Sequence, residues 1–115
     1  MNATIFHNPR CSTSRNALEL LRQAGIEPTI VEYLKDPPSR TRLKQLIKSA
    51  GISVREAMRD KEPIYAELGL RDPKLSDEKL IDAMLAHPIL IQRPIVETKK
   101  GVRFCRPVET VKEIL

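Results

Sequence analysis

Cys11 follows the turn-forming pair Asn8-Pro9 and precedes an amphipathic run from Asn16 to Ala24. The β-type stretch that starts at Thr4 breaks at that pair, so the cysteine falls where a helix should begin. The first turn of a helix leaves N–H groups unpaired and carries the positive end of the macrodipole. A thiol there shifts toward thiolate, and Arg10, Arg15 and His7 stand near enough in sequence to push the same way. Free cysteine titrates near about pH 8.5, and such settings lower it to between about 3.5 and 7.5. The pattern describes one activated sulfur nucleophile on an anion-binding helix end. The competing reading is a buried structural cysteine. It fits less well, because Arg10, Ser12, Ser14 and Arg15 crowd Cys11 with polar groups.

Ser14 gives Cys-x-x-Ser where a dithiol oxidoreductase has Cys-x-x-Cys. Its hydroxyl can cap the helix or donate to a thiolate or bound anion. With no thiol beside it, an adduct on Cys11 needs an external thiol for its release. Cys105 is the one internal candidate. If Val102 to Arg106 is extended, Cys105 and Arg106 point to opposite faces, and Cys105 reads as a packing residue. Guanidinium is planar and multidentate and suits an oxyanion, but its chemistry alone singles out no arginine of this chain. Arg93 directly precedes Pro94 at a strand start, and Arg106 stands between a strand and a helix. Arg59 lies among Arg55, Asp60 and Lys61, where a solvated face is the simpler reading. His7, at the end of the first strand, fits a structural role as well as a thiolate partner. The Cys-x5-Arg phosphate loop would need arginine at Ala17, and a Walker loop lacks its glycines.

These residues need elements to hold them. Residues 3–7 read as a strand and 12–24 as a helix with Ala17, Leu18 and Leu21 on one face, closed by Gly25. Pro28–Tyr33 reads as a second strand, completing a βαβ unit. Ser39 and Ser76 stand where they would cap helices carrying Leu43, Leu46 and Ile47, and Leu80, Ile81, Met84 and Leu85. Ser53 would cap a shorter one, and His87-Pro88 ends the series. Residues 94–98 and 102–105 then read as a hairpin around Lys99-Lys100-Gly101, followed by a closing helix with Pro107 in its first turn. The expected fold is α/β: a β-α-β, helical insertion, β-β-α order in a single domain over residues 1–115, with the insertion at about 39–88.

The 115 residues suit one domain, and a net charge of +5 with a pI near 9.5 favours anionic ligands. Lys and Arg alternate with Asp and Glu, with no basic tail or aromatic-basic motif, so no nucleic-acid partner is expected. Two cysteines make no disulfide framework and have no metal-ligand spacing with His7 or His87. No signal peptide is expected, and no apolar run of about 20 residues stands in the sequence. A reduced, cytoplasmic monomer without a membrane partner is expected.

Four stretches together resemble one family: His7-Asn-Pro-Arg-Cys11-Ser-Thr-Ser-Arg15, Tyr33-Leu-Lys-Asp-Pro-Pro-Ser39, His87-Pro-Ile-Leu-Ile-Gln-Arg93-Pro-Ile-Val96 and Cys105-Arg106-Pro107. In this order they are similar to the glutaredoxin-linked arsenate reductases of thioredoxin-like fold, across nearly the whole chain. The resemblance implies that Cys11 attacks arsenate and that glutathione adds to the arsenic. Glutaredoxin then resolves the mixed species and arsenite leaves. It implies Arg59, Arg93 and Arg106 as oxyanion-binding residues, and His7, Ser14 and Arg15 as support for the thiolate. It also implies a cis Pro94, no tightly bound cofactor, and glutathione as co-substrate. Two alternatives stay open: a thiol-sensing transcriptional adaptor that binds RNA polymerase, and a thiol-transfer enzyme for another oxyanion. Ser14 and Arg106 argue against the adaptor, whose relatives often carry Cys-x-x-Cys and lack the Cys-Arg-Pro ending.

Overall fold

A computed structural model of the chain describes residues 2–115, which gather into two units. One comprises residues up to Asp36 together with Arg93–Leu115, and the other Pro37–Gln92. The first holds strands β1 (Ala3–His7), β2 (Thr29–Glu32), β3 (Ile95–Thr98) and β4 (Gly101–Phe104), with helix α1 (Ser12–Gln23). Its sheet runs in the order β2-β1-β3-β4, with β1 parallel to β2 and antiparallel to β3. β1 is central, and all of it except Thr4 is buried. β2 is an exposed edge, kept extended by the β-branched Thr29, Ile30 and Val31 rather than by burial.

Helix α1 packs on the sheet through residues 14, 17, 18 and 21, the i, i+3, i+4, i+7 stripe of a 3.6-residue helix. Gly25 ends it at φ +80°, with Gly25 N–H on Arg22 O and Ile26 N–H on Leu21 O, both 2.9 Å. This is a Schellman cap, and it seats Ile26 in the core beside Leu21. The closing segment Val108–Ile114 winds as a 3-10 helix, with Pro107 just outside it rather than in its first turn. Its apolar residues Val108, Val111 and Ile114 recur every third position. A three-residue turn stacks them on one line, whereas an α-helix would fan them out.

The second unit contains α2 (Arg40–Ala50), α3 (Pro63–Glu67), α4 (Asp77–Ala86) and 3-10 turns at Arg55–Ala57 and Pro88–Leu90. Ser39 and Ser76 cap α2 and α4, accepting from Arg42 N–H at 3.1 Å and Lys79 N–H at 3.3 Å. Ser53 and Glu56 form a reciprocal capping box at the first 3-10 turn. The short α3 escapes the sequence pattern because five residues hold too few periods to read. Arg93–Pro94 and Arg106–Pro107 are both cis, the second unanticipated.

Candidate active site

Register places the site. Phe6 pairs with Ile95, and Ile95 with Phe104, in one line across the sheet. Just past that line lie the turn from His7 to Cys11, the Arg93–Pro94 peptide and the Cys105–Arg106 step. Three chain segments distant in sequence therefore meet at one sheet edge.

Cys11 is the N-cap residue of α1, extended at φ −96° and ψ 122°, and only 8% exposed. Arg106 Nη2 donates to its Sγ at 3.6 Å, while Nη1 of the same guanidinium reaches Thr13 Oγ1 at 3.4 Å. Burial pushes the Cys11 thiol up. The N–H of Ser14, the Arg93 guanidinium and the N–H of Thr13 more than offset this and hold it below the ordinary thiol range. The sulfur makes no side-chain cap bond of full hydrogen-bond geometry, so the helix end acts on it as aimed N–H dipoles.

Ser14 stands on the buried stripe of α1 and is fully inaccessible, so its hydroxyl must find partners inside. It finds Asn8 N–H at 3.0 Å and His7 Nδ1 at 2.6 Å, not the thiol. Since Oγ accepts from Asn8, both buried groups are satisfied when the Ser14 hydroxyl donates to Nδ1. Burial lowers the His7 pKa, with help from Arg15 and Arg22 against the raising influence of Glu32. His7 is therefore neutral near pH 7, and its path to Cys11 runs through Ser14 rather than through a positive charge. Arg15 donates from Nη1 to Pro9 O at 2.9 Å and so braces the turn.

Arg59 belongs to the helical unit, where Nε bonds Glu62 at 3.1 Å and Nη1 bonds Gln92 at 3.3 Å. It is part-buried rather than on a solvated face. Cys105 is 0% exposed within the core of α1, β1 and β3, and burial pushes its thiol up to about 12. One residue at the site lay outside the sequence reading, Thr13, while Asn8 was read only as part of a turn and not for its side-chain contacts. The Asn side chain's habit of bonding backbone two residues on is the signal for that contact. Among the described residues, no group of three or more His, Cys, Asp or Glu is placed to hold a metal ion. No described helix is long and apolar enough to cross a membrane.

A sheet of this order, with a thiol at the start of the first helix facing two arginines, defines a thioredoxin-like α/β protein built around a single polar-sited cysteine. The chain matches the ArsC family over residues 6–114. It is 60% identical over 115 residues to the arsenate reductase of Rhizobium meliloti (strain 1021), covering 100% of this chain and 82% of that one. It is 57% identical over 114 residues to the arsenate reductase of Escherichia coli (strain K12), covering 99% and 81%. The solved structure of the arsenate reductase from Vibrio cholerae is similar at a TM-score of 0.96 and 48% identity, covering 100% of this chain and 98% of that one. The chain belongs to the ArsC family.

Proposed function

We propose that this chain is an arsenate reductase in which the Cys11 thiolate is the nucleophile and external thiols supply the electrons. One observation carries the reading: Cys11 Sγ sits 3.6 Å from the Arg106 guanidinium, at a helix start, with Arg93 acting on the same sulfur. The thiolate is the attacking form, and guanidinium suits a tetrahedral oxyanion. In the proposed sequence, Cys11 sulfur bonds to arsenic and an arsenic-bound oxygen leaves as water. Glutathione adds its sulfur to the arsenic with loss of a second water. The glutaredoxin thiolate then attacks the glutathione sulfur. The arsenic–sulfur electron pair stays on arsenic, reducing As(V) to As(III), while the two other sulfurs form a disulfide. Water cleaves the remaining bond to Cys11, releasing arsenite and the thiol.

Arg93 and Arg106 hold the oxyanion and offset charge as it develops. Ser14 holds the helix start through His7 and Asn8, and Arg15 through Pro9. Arg59 joins the oxyanion-binding set on resemblance, and a raised KM for arsenate in Arg59→Ala is its test. Glutathione is a co-substrate and glutaredoxin the protein reductant. Ser14 stands where a resolving cysteine would, and Cys105 is sealed in the core, which supports an outside thiol. The test is NADPH consumption with arsenate, glutathione, glutathione reductase and glutaredoxin. Arsenate-dependent turnover by wild type, lost in Cys11→Ser, is the expected result; turnover retained in Cys11→Ser would sink the mechanism.

A further inference from the structure

Asn8 is 5% exposed and makes three hydrogen bonds within the segment that ends in the helix start. Its N–H donates to Ser14 Oγ, its carbonyl accepts from Cys11 N–H, and its Oδ1 accepts from Arg10 N–H, each at 3.0 Å. Asn8 to Cys11 thus forms a β-turn with Pro9 at its second position. Among the described residues no non-glycine residue has a positive φ, which excludes type II and leaves the type I geometry that favours Asn first and Pro second. Pro9 has no N–H. Every backbone donor from Pro9 to Cys11 therefore goes to Asn8. The side-chain oxygen takes one of them, and this is the part that a residue without a short polar side chain would lose.

We propose that Asn8 is a positioning residue for Cys11: through this turn it fixes the sulfur against the Arg106 guanidinium and the first-turn N–H groups. The inference deepens the reductase reading, since it concerns the same thiol. Cys11 begins α1 only if the chain leaves β1 and reverses within three residues. Pro9 fixes one dihedral of that reversal, and Arg15 holds the Pro9 carbonyl. The peptide between Pro9 and Arg10 is anchored on its N–H side by Asn8 Oδ1. Without that acceptor the peptide is held on its carbonyl side alone, by the Arg15 guanidinium, and Cys11 is the next residue along. The effect of Asn8 on chemistry passes through the aim of the sulfur, not through contact with substrate.

The test compares Asn8→Ala, Asn8→Ser and Asn8→Asp by the pH dependence of Cys11 alkylation with iodoacetamide, by thermal melting and by coupled arsenate turnover. In Asn8→Ala, alkylation at pH 7 and kcat/KM for arsenate should each fall about tenfold, well inside the cost of a small misplacement of reacting groups. The alkylation midpoint should move to higher pH. Asn8→Asp keeps an oxygen acceptor, so its high-pH alkylation plateau should match wild type. Its added negative charge should displace the midpoint upward. A folded Asn8→Ala whose alkylation profile and kcat/KM stay within twofold of wild type overturns the proposal. If Asn8→Ala does not fold, Asn8→Ser serves in its place: a plateau in Asn8→Asp no higher than in Asn8→Ser overturns it, and a higher one supports it. Alkylation needs neither arsenate nor glutathione. Wild type that alkylates readily but never reduces arsenate would overturn the reductase reading alone.

Discussion

The start of α1 and the end of β4 each carry a cysteine, in the same unit and both below a tenth exposed. Burial raises the thiol pKa at each. At Cys11 the increase is reversed by the N–H groups of Ser14 and Thr13 and by the Arg93 guanidinium. At Cys105 the Arg103 charge only tempers it and Glu113 adds to it, so the thiol stays near 12. Arg103 is itself engaged with Glu113 at 2.9 Å. Burial therefore says little about which thiol reacts; what faces the sulfur decides. The chain makes the contrast within one step, for Cys105 turns into the core while Arg106 beside it reaches Cys11.

The broadest way to break the comparison is to remove one sulfur at a time. Cys11→Ser should reduce arsenate turnover by on the order of 10³-fold or more, since a serine hydroxyl at this site has no base to activate it. In native wild type, mass spectrometry after brief iodoacetamide treatment should find the label on Cys11 alone. Label shared equally with Cys105 would refute the contrast. Arg106→Ala should come next, lowering kcat/KM for arsenate by about 10²-fold, the usual cost of one preorganised donor. Arg106→Lys should recover only part, because an ammonium cannot bridge Sγ and Thr13 Oγ1 as the guanidinium does.

Much of this contrast is written in the sequence. Asn8-Pro9 before an apolar helical stripe places Cys11 at the helix start, and Ser39 and Ser76 begin α2 and α4 where expected. The alternation from Val102 to Arg106 separates Cys105 from Arg106. Two parts were illegible for different reasons. The Val108–Ile114 segment has the composition of an α-helix, and its winding is decided by a three-residue apolar spacing against the sheet. The orientation of the Ser14 hydroxyl depends on His7 at the end of β1 and Asn8 just past it meeting the buried side of α1, a tertiary fact that its helix-capping propensity obscures. The stripe through 14, 17, 18 and 21 did contain the clue. A serine in line with Ala17 and Leu21 faces inward, and an inward hydroxyl must be answered from inside.

Titration gives the two cysteines opposite signatures. Cys11 has a lowered folded pKa, so its contribution to stability is present above the ordinary thiol pKa and disappears as pH falls through the folded value. Cys105 has a raised one, so its contribution is full below the ordinary thiol pKa and is lost as pH rises toward about 12. Melting curves of wild type against Cys11→Ser should therefore diverge with increasing pH across the range between the two Cys11 values. The arsenate kcat/KM should rise with pH and level off before the ordinary thiol range. A profile that keeps climbing through pH 9 would mean that Cys11 is not activated.

The smallest effect sharpens the comparison from the silent side. Cys105 is wholly buried in a core that includes Ala17, Leu21 and Val96, and its Sγ reaches the Arg103 carbonyl at 3.5 Å. Cys105→Ser places a hydroxyl in that setting and should cost about 1–3 kcal/mol, seen as a lower midpoint in urea. Cys105→Ala loses only the sulfur volume and should cost less. Both variants should keep the wild-type kcat/KM for arsenate when assayed well below their melting temperatures, because the backbone that aims Arg106 is fixed separately by Cys105 N–H on Pro94 O at 2.8 Å. A variant that melts like wild type yet turns over tenfold more slowly would make Cys105 part of the chemistry and end the distinction between the two thiols.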